Sequence, residues 1–335
     1  MANNHSNKPK KHTLADRMKV YKKRFARLDK KTKISGAVIG GILLAAVTSL
    51  PELFTSFSSV LFIGNNEMVV GNILGSDLFN LMITGITTVV FIKNFKNAKI
   101  EKTHLYTILI VIAMTGISLY AILVPDQFQP KAGPINFLTL LIIGLYVLNV
   151  LIQPKTKDDE EEKEESTLNL SVKQIIVRFI ICAVLLVGVS IAITYVTDIV
   201  AKELKLDATV AGSLFLAIAT SLPEVVSSIT LCYKRNFNAA LGNVVGSNAF
   251  NFIILAIAEY LSWGSSVFVY QDKEAFLMAI FLIIGSILAI TLFLSLFLYQ
   301  RKERSKTTTI LSCSVFVILG VLILSCYIAY LLVNN

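Results

Sequence analysis

Apolar stretches, many of them near the roughly 20 residues needed to cross a bilayer, recur along most of this chain, with short polar segments between them. Lipid offers no water to satisfy a backbone N–H or C=O, so a chain of this pattern can cross it only as helices or as a closed barrel. Runs of this length and continuity specify helices. Nine can be read, here lettered A to I, at residues 35–61, 69–92, 104–124, 134–152, 174–199, 208–232, 239–262, 274–299 and 309–333.

Charge then orients them. The net charge of +9 resembles the footprint of a nucleic-acid binder, but the Lys and Arg fall in the N-terminal tail and in short loops between apolar segments. That placement is an orientation signal, because Lys and Arg are retained on the cytoplasmic side, and nucleic-acid binding is not expected. The tail, loop B–C (Lys93, Lys96, Lys99, Lys102), loop F–G (Lys234, Arg235) and loop H–I (Arg301, Lys302, Arg304, Lys306) are basic, whereas the alternate loops carry few positive charges. The pattern predicts an N-terminus inside, a C-terminus outside, and a multi-pass protein of the plasma or inner membrane. The first 33 residues are polar and basic, so no cleavable signal peptide is expected.

Four regions follow: a basic cytoplasmic tail (1–33), a first membrane repeat of four spans (34–153), an acidic cytoplasmic loop (154–172) and a second membrane repeat of five spans (173–335). Residues 14–31 of the tail mix apolar and basic side chains and read as an amphipathic helix on the anionic leaflet or as a solvated tail. The acidic loop reads as solvated linker, with a regulatory cation site as the alternative. Cys182, Cys232, Cys313 and Cys326 lie in or beside apolar segments without ligand spacing, as small packing residues do.

The word "repeat" rests on two duplicated blocks. Residues 45–56 read AAVTSLPELFTS and 217–228 read AIATSLPEVVSS; residues 71–80 read GNILGSDLFN and 242–251 read GNVVGSNAFN. Both pairs keep the same order, with offsets that differ by a single residue. Helix A runs outward and helix F inward, so one sequence lies in the membrane in two opposite senses. Inverted repeats of this kind place a binding site at the midplane, on a pseudo-two-fold axis.

The blocks also carry the chemistry. Thr48, Ser49 and Glu52 share a helical face by their i, i+3 and i+4 spacing, as do Thr220, Ser221 and Glu224. Pro51 and Pro223 lack an N–H, which frees the carbonyls of Val47 and Ala219. In the second block Asn72, Ser76 and Asn80 form a stripe at i, i+4 and i+8, matched by Asn243, Ser247 and Asn251. Gly71–Gly75 and Gly242–Gly246 are small-residue pairs that let helices approach closely. Hydroxyls and amides alone would read as glue between helices. Two symmetric mid-span carboxylates do not, since each costs about 2.5–3.5 kcal/mol to insert. The donors are all oxygens, which suits a hard cation such as Ca²⁺. His5, His12 and His104 lie outside the spans, so zinc or copper is not indicated.

The doubled TSLPE and GNxxGSxxFN blocks resemble the α-repeats of the sodium/calcium exchanger branch of the cation/calcium exchanger superfamily, strongly over 36–85 and 208–256. The resemblance implies an all-α polytopic membrane protein, an inverted-topology repeat of ten helices. This chain would show about nine spans, without the first. It implies ion ligands at Thr48, Ser49, Glu52, Ser76 and Asn80, at Thr220, Ser221, Glu224, Ser247 and Asn251, and at the carbonyls of Ala45 and Ala217. Sodium-coupled members often carry Asp at the last ligand position of one repeat, where this chain has Asn80 and Asn251. Asp77 adds a carboxylate, but about 100° round the helix from Ser76, and the sequence leaves open whether it faces the site.

The expectation is a secondary antiporter that exports Ca²⁺ in exchange for Na⁺ or H⁺, with inorganic cations and the lipid bilayer as its partners and no cofactor. The alternatives are a carrier for Mg²⁺ or K⁺, or a cation-sensing membrane protein that does not transport. An enzyme is not expected: there is no HExxH, and LGSD at 74–77 lacks the first glycine of a GxGD protease motif.

Overall fold

Proline decides where the first functional helix begins. A helical turn at 44–48 stops at Ser49 (φ −88°, ψ 13°), and helix α1 (Leu50–Ser58) starts with Pro51 in its first turn. Proline is tolerated there because its missing N–H has no intrahelical partner anyway. The second copy does the same: a short helix Ala217–Thr220 stops at Ser221 (φ −81°, ψ 4°), and a new helix starts at Leu222 with Pro223 in its first turn. Helices A and F, expected as continuous, are therefore each broken at the serine before Leu-Pro.

The structure is a computed structural model that describes residues 44–92, 100–132, 135–153, 172–262 and 265–300. These lie in one folded unit, 41–153 with 166–335. The expectations for the basic tail, the acidic loop, the cysteines Cys313 and Cys326, and helix I fall outside the described residues.

After α1 and a π-helical turn Ser59–Ile63 come α2 (Glu67–Val90), α3 (Thr103–Leu123), a 3₁₀ turn Asp126–Phe128 and a two-residue hairpin, β1 (Lys131–Ala132) with β2 (Ile135–Asn136). Then follow α4 (Phe137–Ile152), α5 (Val172–Leu204), α6 (Ala208–Ala211), a second π-helical turn Gly212–Leu216, α7 (Ala217–Thr220), α8 (Leu222–Tyr233), α9 (Phe237–Leu261) and α10 (Lys273–Gln300). Helix D thus starts at Phe137, with the hairpin occupying its expected first residues. Asn136 caps α4 by accepting from the Leu138 N–H. Gly64 closes the first π-helical turn at φ 72°, a left-handed conformation glycine adopts without strain.

Six described segments are long and apolar enough to cross a membrane, the stretch Ala208–Tyr233 counted as one; Leu50–Ile63 and Phe137–Ile152 are shorter apolar helices. Helices α2 and α9 form the centre: 67% and 72% of their spans are buried, against 28% for α5. They pack on each other, α1 packs on α5, and α3, α4 and α10 close the far side. Val184, Leu185 and Val189 of α5 are exposed, as lipid-facing residues of a membrane helix are.

The glycine pair of α2 has the role its spacing implies. A Cβ on Gly71 would stand 2.1 Å from the Thr209 carbonyl oxygen, and one on Gly75 would stand 2.8 Å from Ser213 Cα. From the facing element, a Cβ on Gly212 would stand 2.5 Å from the Met68 carbonyl oxygen. Backbone meets backbone here, a contact no larger residue permits. It seats α2 against the segment that leads into Thr220, Ser221 and Glu224.

At the opposite end of that segment, Asp207 caps α6, accepting from the Thr209 N–H (2.8 Å) and the Val210 N–H (3.3 Å). Asp272 lies just before α10. Its Oδ1 accepts from the Ala275 and Glu274 N–H groups (2.9 and 3.0 Å), and its Oδ2 accepts from Thr209 Oγ1 (2.7 Å). Burial pushes this carboxyl above the usual aspartate range, and nearby Asp207 adds to the rise; the bonds from Ala275, Thr209 and Glu274 oppose it.

Candidate functional site

The helix breaks bring Ser49 and Ser221 to the middle of the bundle, each beside the other repeat's carboxylate. Ser49 Oγ donates to Glu224 Oε1 at 3.0 Å, and Ser221 Oγ donates to Glu52 Oε1 at 3.3 Å. From the second blocks, Ser247 Oγ donates to Glu224 Oε1 at 3.2 Å and Ser76 Oγ to Glu52 Oε1 at 3.5 Å. Thr48 Oγ1 donates to Asn243 Oδ1 (3.4 Å) and lies 3.4 Å from Ser247 Oγ. Its counterpart Thr220 donates to Asn72 Oδ1 (3.3 Å) and lies 3.4 Å from Ser76 Oγ. Every bond from one repeat has its mirror from the other, which is what a pseudo-two-fold axis produces.

The amides of the stripe turn outward to hold the helices. Asn72 Nδ2 donates to Thr55 Oγ1 (2.9 Å) and Ser56 Oγ (3.3 Å), and Asn243 Nδ2 donates to Ser227 Oγ (2.8 Å). This leaves each amide oxygen facing a site threonine. The Ala45 carbonyl accepts from the Ser49 N–H (3.0 Å) and Thr48 Oγ1 (3.2 Å); the Ala217 carbonyl accepts from the Ser221 N–H (3.1 Å) and Thr220 Oγ1 (3.4 Å). Both carbonyls are therefore engaged in their own helix turn.

A second layer lies along the α2–α9 crossing. Asn80 Nδ2 donates to Asn248 Oδ1 (2.9 Å), Asn251 Nδ2 donates to Asp77 Oδ1 (2.8 Å), and Asn248 Nδ2 donates to the Asp77 carbonyl (3.1 Å). The Asp77 side chain is fully buried, and its Oδ1 is bonded to Asn251 of the other repeat.

Glu52, Glu224, Ser49, Ser221, Ser76, Ser247, Asn80 and Asn251 are all fully buried, and Thr48 and Thr220 nearly so. Glu52 Oε2, Glu224 Oε2, Asp77 Oδ2, Asn80 Oδ1 and Asn251 Oδ1 are buried with no hydrogen-bond donor. All are acceptors, and buried acceptors without donors are costly unless a positive charge meets them. The donor set is entirely oxygen, the chemistry of Na⁺ and Ca²⁺ rather than of zinc or copper.

Sequence reasoning placed Thr48, Ser49, Glu52, Ser76, Asn80 and their counterparts, and the structure brings them together. It gave no role to Asn248, nor to Thr55 and Ser227, which anchor the stripe amides. His104, expected outside the spans, instead lies in the first turn of α3 within the candidate span Thr103–Leu123, buried, with Nε2 2.8 Å from Asn238 Oδ1.

Two broken helices in inverted orientation, meeting through paired carboxylates at the centre of a membrane bundle, define a secondary cation transporter rather than an enzyme. The chain belongs to the sodium/calcium exchanger protein family, which it matches over residues 24–154 and 174–334. It is 27% identical over 227 residues to CaxA of Alkalimonas amylolytica, covering 67% of this chain and 69% of CaxA. The sodium-calcium exchanger NCX_Mj shares its fold at a TM-score of 0.54 and 21% identity, over 90% of each chain. The H⁺/Ca²⁺ exchanger CAX does so at 0.56 and 14% identity, over 88% of this chain and 87% of CAX.

Proposed function

We propose that the protein exports Ca²⁺ across the cell membrane in exchange for Na⁺ or H⁺, with its N-terminus cytoplasmic, its C-terminus outside and nine spans. The observation that carries this reading is the reciprocal pair Glu52 and Glu224, each with one oxygen held by the other repeat's serine and one oxygen without a donor. Two carboxylates balance one divalent ion. The hydroxyls of Thr48, Ser49, Ser76, Thr220, Ser221 and Ser247 would replace part of its hydration shell, joined by the carbonyls of Ala45 and Ala217.

Exchange follows from competition. The same oxygens cannot serve a divalent ion and its monovalent replacements at once, and two bare carboxylates in a low-dielectric core disfavour crossing with neither. The names of NCX_Mj and CAX, a sodium-calcium and an H⁺/Ca²⁺ exchanger, support this class of exchange with either coupling ion. Calcium flux in proteoliposomes under imposed Na⁺ or pH gradients is the test. Flux driven by one gradient identifies the coupling ion. Calcium binding without flux under either gradient would replace this reading with that of a sensor, and flux of Mg²⁺ or K⁺ in place of Ca²⁺ would change the substrate.

A further inference from the structure

We propose that Asp77 is a third charge of the carrier core, and the residue through which the exchanger takes up a monovalent counter-ion, at a place it shares with Asn251. This rests on the exchange reading above and adds to it a residue that answers for the monovalent ion.

The Asp77 side chain is fully buried in the middle of α2. Its Oδ1 is held by Asn251 Nδ2 at 2.8 Å, and its Oδ2 has no donor. The ion pairs among the described residues are Lys131–Asp126 and Lys202–Asp198, and neither involves it. The charged side chains on the elements packed against α2 are Glu52 of α1, Glu224 of α8, Glu259 of α9, and Lys273 and Glu274 at the start of α10. Glu259 lies two turns beyond Asn251 and is engaged by Ser266 and the Val267 N–H. No basic side chain of those elements reaches the middle of the bundle. A carboxylate so placed is retained for an ion or a proton, because glue between helices does not require a charge.

The hydrogen bonds separate it from the divalent pair. The Glu52 and Glu224 carboxylates are bonded by Ser49, Ser76, Ser221 and Ser247; the Asp77 carboxylate is bonded by Asn251, and its backbone carbonyl by Asn248. In the same hydrogen-bonded layer, Asn80 Oδ1 and Asn251 Oδ1 also lack donors. One negative charge among three free acceptors matches one positive charge, Na⁺ or H⁺, and not a second divalent ion. Charge balance agrees: two monovalent ions replace Ca²⁺ on the two glutamates, and the third carboxylate takes up one more as Ca²⁺ leaves.

The rival account is a clasp that merely joins α2 to α9. Asparagine at position 77 would keep that clasp, since its Oδ1 still accepts from Asn251, while removing the charge. The test is equilibrium binding of radiolabelled calcium to the purified protein, titrated with Na⁺ at fixed pH and with pH at zero Na⁺. It compares wild type, Asp77→Asn and the double variant Asp77→Asn/Asn251→Asp, which moves the carboxylate to the other side of the 2.8 Å contact. The steepness of calcium displacement counts the competing ions. In Asp77→Asn it should fall by about one ion, in the Na⁺ arm or the pH arm, and the arm that changes names the ion; the double variant should regain the wild-type steepness. Unchanged steepness in both arms for Asp77→Asn overturns the proposal. Should that single variant fail to fold, a folded double variant with wild-type steepness supports the proposal and one with reduced steepness overturns it. Wild type that binds no displaceable calcium instead defeats the underlying exchange reading.

Discussion

Ser49 of the first repeat donates its hydroxyl to Glu224 of the second, while Ser221 returns the same bond to Glu52. Each carboxylate is thus positioned by the half of the chain it does not belong to. Ser49→Ala and Ser221→Ala each remove a proposed ion ligand and a charge-assisted hydrogen bond, worth about 1.5–3 kcal/mol. Half-saturating calcium should rise roughly 10- to 100-fold in either variant. Because both serines serve one bound ion, the double variant should depart from the sum of the two. Transport assays at varied calcium check both points.

Glu52→Gln and Glu224→Gln should each reduce calcium flux by roughly a hundredfold or more, since removing one charge leaves the cation's lost hydration unbalanced. Glutamine keeps an oxygen to accept from Ser221 or Ser49, so both variants should remain folded and monodisperse in detergent. Near-normal flux in both would remove the glutamates from the site.

Much of this was legible because the blocks are local. Thr48, Ser49 and Glu52 share a face by spacing alone, and a buried carboxylate duplicated in a span announces function without any fold. The partners were not legible, because the reciprocal serine bonds to the two carboxylates cross between repeats. Asp77 is the clearest case. A 100° step from Ser76 leaves its face ambiguous on an isolated helix, and only the crossing with α9 brings Asn251 to it. The break at Ser49 shows a different limit: proline marks a disturbed turn, but which residue ends the preceding helix depends on how the two segments pack.

The glycine contacts predict a graded series. Gly71→Ala places a methyl against the Thr209 carbonyl, and Gly75→Ala places one against Ser213. Both should lower the thermal unfolding midpoint in detergent and reduce flux by displacing the second repeat's site segment. Gly116→Ala and Gly188→Ala meet nothing within 4 Å. They should be neutral or stabilising by about 0.4–1 kcal/mol, because alanine narrows the unfolded ensemble.

Asp272 sets a pH dependence outside the spans. Its carboxyl is raised in the folded state, so its contribution to stability is fully present below the unfolded value, about pH 4, and is lost as pH rises through the folded value. Asp272→Asn keeps a side-chain oxygen to cap α10 and should flatten that part of the stability–pH curve. Asp272→Ala also loses the cap and should cost about 1 kcal/mol at all pH values. Unfolding midpoints across the acidic range separate the two effects.

The orientation of the second repeat can be read directly. Glu203 and Lys234 are exposed residues flanking the segment Ala208–Tyr233. With a cysteine at either position in a cysteine-free background, an impermeant thiol reagent should reach Glu203→Cys from outside intact cells, and Lys234→Cys only after permeabilisation. Labelling of both from one side would refute the crossing.

The reciprocal serines also impose a timetable. Glu52 meets its Ser221 donor only after 169 further residues have been added. At the usual speed of a ribosome that is a delay of roughly ten to thirty seconds. Through that interval the nascent first half holds a carboxylate in the bilayer with only the Ser76 hydroxyl of its own repeat beside it, so the first four helices await the rest of the chain before their central charge is fully housed.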